Sequence, residues 1–124
     1  MCILLGSTQT RGVFGGSGLV VLEVRAKLEK TVRLTERNWK HVLNHPEMED
    51  QISRVRETLV DPDEIRESER SSSVWLFYKL YAKTPVTRKF LLVVVKVLSG
   101  EGFIVTAFFT DTVKTGGLIW KKNT

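Results

Sequence analysis

Arg37, His41 and His45 recur at every fourth residue, the spacing that stacks side chains along one side of a helix. The apolar residues Trp39, Val42 and Leu43 fall on another side. Three chemistries compete for this column. It is an exposed polar face opposite an apolar stripe, or it offers His41 as a general acid or base, because an imidazole titrates near neutrality. The third is a two-histidine metal site at i, i+4. Against it, no His-Glu-x-x-His pattern is present, Cys2 is the single cysteine, and Pro46 breaks helix geometry beside His45. We therefore expect no metal and no cofactor.

The second set of candidates lies in three apolar runs, each interrupted by a polar residue. Lys79 follows Trp75 and Phe77 and precedes Tyr81; Lys96 alternates with Phe90, Leu92 and Val94; Thr106 and Thr110 alternate with Ile104 and Phe108. Side chains of a strand change faces with period 2, so the pattern predicts one sheet face carrying Lys79, Lys96 and Thr106, with His41 at its edge. Aromatic rings and lysines together suit unpaired bases and phosphates. The competing reading packs the aromatics in the core and lets the lysine stems reach the rim. Arg88, Lys89 and Lys114 add positive charge nearby.

The elements that must hold these residues follow from local signals. Thr35 is a good N-cap, and Leu34 before it can staple to Trp39, which predicts a helix to about Asn44. Pro46 suits the start of a second helix, in which Met48, Ile52, Val55 and Leu59 recur at helical spacing until Asp61-Pro62-Asp63 stops it. Leu19 to Arg33 reads as one or two strands, or a strand followed by a helical turn. Val74–Ala82, Phe90–Leu98 and Phe103–Thr110 read as strands, with turn chemistry at Thr84-Pro85 and Ser99-Gly100-Glu101-Gly102. Gly116-Gly117 marks a last turn before a short closing strand at Leu118–Trp120. The expected class is α+β, with N-terminal helices packed on a roughly four-stranded antiparallel sheet.

Composition sets the frame. At 124 residues with 42% hydrophobic content, the chain fits one domain with a modest core, expected over residues 19–124. The glycine-rich residues 1–18 read as a flexible leader; no Gly-Lys-Ser/Thr follows to make a phosphate cradle. The net charge is +5 and the pI about 9.6, favouring an anionic partner. That charge is unevenly spread: residues 47–70 hold nine acids and four bases, residues 71–124 two acids and eight bases. One cysteine points to a reducing compartment, with cytoplasm as the expectation. No apolar stretch approaches the length of a membrane span, so no membrane partner is expected.

From Thr35 to Trp120 the chain resembles the phage-associated branch of the barnase, EndoU, colicin and RelE ribonuclease superfamily. The resemblance is carried by Thr35-Glu36-Arg37, His41, His45-Pro46-Glu47, Leu59 with Asp61-Pro62-Asp63-Glu64-Ile65, Phe77-Tyr78-Lys79, Val93-Val94-Val95-Lys96 and Phe103-Ile104-Val105-Thr106-Ala107. It implies a metal-independent endoribonuclease, toxin-like or from a phage or mobile element, that cuts RNA by attack of the ribose 2'-hydroxyl on the adjacent phosphate. It implies His41, Lys79, Thr106 and His45 as catalytic residues. RNA contacts then fall to Arg37, Tyr78, Arg88, Lys89, Lys96, Thr110 and Lys114, and an antitoxin or immunity protein to the partner role. The alternatives are a non-catalytic nucleic-acid-binding module, or a protein-interaction domain working through the acidic helices.

Overall fold

The computed structural model describes residues 19–113 and 116–122. The expected leader at 1–18 and Lys114 lie outside those residues. The chain opens with a hairpin, β1 (Val20–Ala26) and β2 (Lys30–Thr35), whose turn holds Leu28 and Glu29 at positive φ. Helix α1 (Glu36–Val42), a single 3-10 turn (Pro46–Met48) and helix α2 (Ile52–Val60) follow. Five strands complete the chain: β3 (Glu64–Ser68), β4 (Ser71–Tyr81), β5 (Lys89–Leu98), β6 (Glu101–Thr110) and β7 (Gly117–Lys121).

These strands form one seven-stranded sheet in the order β1-β2-β6-β5-β4-β3-β7. The pairings are antiparallel except for β2 with β6, which run parallel through Thr31↔Glu101, Val32↔Gly102 and Arg33↔Phe103. This corrects the expected class: the protein is mostly β, with a seven-stranded mixed sheet and two short helices, and not N-terminal helices on a four-stranded antiparallel sheet. The three expected strands are present as β4, β5 and β6 and pair antiparallel with one another.

Two elements account for most of the difference. The N-terminal hairpin joins the main sheet along β2 and adds two strands. Glu64–Ser68, to which the sequence pattern assigns no element, is strand β3. Its centre is the fully buried Ile65, which faces Phe77 on one side and Trp120 on the other. Asp63 sets its start: the backbone N–H of Asp63 donates to the Tyr78 carbonyl (2.8 Å), and its carboxylate accepts from the Leu80 N–H (2.7 Å).

The helices are shorter than their sequence pattern suggests. Thr35 caps α1 through its hydroxyl, which accepts from the Asn38 N–H at 3.1 Å. The second helix is interrupted because Glu49 is extended and Asp50 has φ of 64°, a left-handed conformation that helical hydrogen bonding does not allow. Met48 therefore sits on the 3-10 turn, yet it still packs with Val55 and Leu59 into the main core, all three with no solvent exposure. Burying each such side chain stabilises the fold by roughly 1.5–3 kcal/mol.

That core lies between the helices and one sheet face, built from Val24, Val32, Leu34, Ile65, Phe77, Leu91, Val93, Val95, Ile104 and Ala107. The opposite face carries a smaller cluster of Leu76, Tyr78 and Leu92, flanked by Val74, Phe90, Val94, Phe108 and Val113. The sheet curls around α2. Lys27, just after β1, donates its N–H to the Leu59 carbonyl (2.9 Å) and places its ammonium 4.7 Å from the ring of Trp120 on β7, at the other end of the strand order.

Candidate functional site

The site begins at the edge of β6. Strand β2 accompanies β6 only as far as Phe103; beyond it α1 runs beside β6. Asn38 fixes that junction, its side-chain amide donating to the Ile104 carbonyl at 2.8 Å. At the same level the β5–β6 ladder carries a bulge: Val95 faces Ile104 and Val94 faces Thr106, leaving Val105 unpaired. An extra residue in one strand shifts the alternation of faces. Ile104 accordingly enters the main core, while Thr106 faces Val94 on the other side of the sheet and Val105 projects from the edge, 43% exposed.

Arg37, Asn38, Lys40, His41, Asn44 and Val105 line a shallow groove between α1 and this bulge. Arg37, Lys40 and His41 are exposed in it, so an imidazole stands beside two cations, of which Lys40 lies 4.0 Å from the Glu36 carboxylate one helical turn back. His45, at the start of the 3-10 turn, is half-buried, with its ring centroid 5.4 Å from that of Phe108. Phe108 lies two residues along the same face from Thr106. His45 is thus anchored to the far face of β6, whereas His41 stays in the groove.

The strand residues divide. Lys79 belongs to the helix side of the sheet with Phe77 and Tyr81; its ammonium donates to the Asp61 carbonyl oxygen (2.9 Å) and carboxylate (3.3 Å), and its side chain is only 15% exposed. Lys122 also bonds Asp61, and the two lysines hold that carboxyl below the usual carboxylate range, Lys122 foremost. Lys96 is exposed on the other face and donates to the Ser73 hydroxyl at 2.6 Å. Thr106, Thr110 and Tyr78 share that face with Lys96. Lys79 and Thr106 are therefore on opposite faces, and the single sheet-face site expected from alternation is not formed: Lys79 is separated from Lys96 and Thr106.

Tyr78 is fully buried and meets Phe90 edge-on at 6.3 Å, so its ring is a packing element of the second cluster. The Thr110 hydroxyl donates to the Thr112 carbonyl at 3.3 Å, which shapes the strand end. Arg88 is exposed in the β4–β5 connection, and the Lys89 ammonium is bonded by Asp111. Both lie at the end of the sheet where β4 turns into β5. Sequence reasoning missed Asn38, Lys40, Asn44 and Val105. The first three were legible as neighbours of His41 on a helix; the bulge that exposes Val105 had no sequence signal.

No protein-family model, no curated protein and no solved structure matches this chain. Among the described residues no three His, Cys, Asp or Glu side chains cluster as metal ligands, and no helix is long and apolar enough to cross a membrane.

Proposed function

We propose that the chain is an endoribonuclease whose reacting phosphate lies in the groove between α1 and the β6 bulge. The observation that carries this reading is the exposed His41 flanked by the exposed Arg37 and Lys40. The cations attract and hold a phosphate, and the imidazole moves the proton. It takes it from the ribose 2'-hydroxyl as that oxygen attacks the adjacent phosphorus, or gives it to the departing 5'-oxygen. Asn38, tied to the Ile104 carbonyl, keeps α1 at a fixed distance from the strand. Thr106, on the face reached around the bulge, supplies a hydroxyl to a neighbouring phosphate, with Lys96 farther along.

Lys79, tied to Asp61 on the helix side, has no part in this reading. We place the activity in the cytoplasm, with RNA as substrate and a neutralising antitoxin or immunity protein as partner. The deciding experiment incubates the purified protein with mixed RNA in excess chelator and analyses the ends. Cyclic-phosphate or 3'-phosphate termini are the expected outcome. RNA that is bound and released uncut would leave a binding module in place of an enzyme.

A further inference from the structure

Beyond His41 the groove meets a short stretch of backbone that is fixed on both sides. The Asn44 N–H donates to the His41 carbonyl (3.1 Å), the His45 N–H donates to the Val42 carbonyl (2.9 Å), and the His45 carbonyl accepts from the Met48 N–H (2.9 Å). Val42 and Met48 have no solvent exposure, so His45 is tied to two core residues and its backbone is held. The imidazole lies against Phe108, with centroids 5.4 Å apart and planes tilted by 33°, and it does not cap its own turn. The ring is half-buried and keeps part of its surface in solvent. Asn44, exposed next to it, lines the groove together with His41. Among the described residues the Asn44 side-chain amide takes no hydrogen-bond partner.

We propose that Asn44 and His45 form a subsite for an unpaired adenine, next to the phosphate position at Arg37 and His41. The inference rests on the reading of the groove as an RNA site and adds which nucleotide it selects. An imidazole backed by a second aromatic ring is a platform on which an unpaired base stacks, and a purine covers it more fully than a pyrimidine. Because the backbone on either side of His45 is already fixed, little order has to be created when the base arrives. Stacking alone does not tell adenine from guanine. The Asn44 amide does: its oxygen accepts from adenine N6 while its NH2 group donates to N7, whereas guanine presents acceptors at both O6 and N7. A base inside a duplex has both faces covered by its neighbours, so the subsite selects single-stranded RNA.

The test uses short oligomers of 2'-O-methyl adenosine, guanosine, cytidine and uridine, which lack the attacking 2'-hydroxyl and so report binding apart from cleavage. Fluorescence anisotropy with the unaltered protein is expected to show the adenosine oligomer bound about tenfold more tightly than the uridine oligomer. Asn44→Ala removes the preference for adenosine over guanosine. His45→Leu weakens both purine oligomers about tenfold, while His45→Phe, which keeps a stacking ring, returns them to within about twofold of the unaltered protein. Circular dichroism checks the fold of each variant. Equal affinity for all the oligomers overturns the subsite, even in a protein that cleaves ordinary RNA. An adenosine preference that Asn44→Ala leaves intact overturns it too, as does a His45→Phe protein that binds no better than His45→Leu. An adenosine preference lost in these variants, in a protein that leaves ordinary RNA uncut, upholds the subsite and removes the nuclease reading instead.

Discussion

His41 and Tyr81 show two different chemistries at the level of single residues. His41 is exposed on α1 and contributes little packing, so His41→Ala is expected to leave the melting temperature nearly unchanged. RNA cleavage should fall about a hundredfold or more, since positioned acid-base help is typically worth 10²–10⁴. Wild-type cleavage by a folded His41→Ala protein would move the assignment to His45. Tyr81 is a structural group. Its phenol donates to the Glu57 carboxylate while Arg54 stacks 4.5 Å over its ring. Burial, then Glu57, push its pKa above the ordinary value of 10.0. A raised folded-state pKa gives stabilisation that is complete below the unfolded value and lost as pH climbs beyond it. Tyr81→Phe should therefore cost about 0.5–1.5 kcal/mol near neutrality, and the gap to wild type should close above roughly pH 10. Urea denaturation across that range measures both.

Among the elements, β6 is the most constrained. Gly102 lies opposite Val32 at the parallel junction, and a Cβ there would stand 2.8 Å from Val95 Cγ1 and 3.2 Å from the Lys96 carbonyl oxygen. Gly102→Ala is expected to destabilise the protein by roughly 1–3 kcal/mol, the usual range for overpacking, read as a lowered urea midpoint. The same strand marks the boundary of what the sequence discloses. Period-2 patterning made β4, β5 and β6 legible, and the Thr35 cap made α1 legible, because these signals are local. The bulge at Val105 is set by how β6 fits against β5 and α1, so Thr106 changed faces relative to Ile104 with nothing in the residue types to announce it. Strand β3 escaped for a related reason: one apolar residue, Ile65, among charged neighbours has no period of its own, and only Phe77 and Trp120 make it a core position. His41 and Arg37 were legible as neighbours on one helix, whereas the partner surface across the groove was not.

At the scale of the molecule, the parallel contact of β2 with β6 joins segments distant in the chain. Lys30 donates to the Ser99 carbonyl at a separation of 69 residues (2.8 Å), the Thr31 N–H donates to the Gly100 carbonyl (3.1 Å), and Arg33 bridges Glu23 and Glu101. Closing so long a loop costs chain entropy before any contact repays it. The β5–β6 hairpin, closed by two turn residues with Ser99 at positive φ, needs no such closure and supplies the surface on which β2 docks. The N-terminal hairpin is thereby a late arrival in folding and an early departure in unfolding. In stopped-flow experiments Val32→Ala, which removes a fully buried side chain on the β2 side of that contact, should accelerate unfolding while leaving the refolding rate almost untouched, the signature of a contact made after the rate-limiting step.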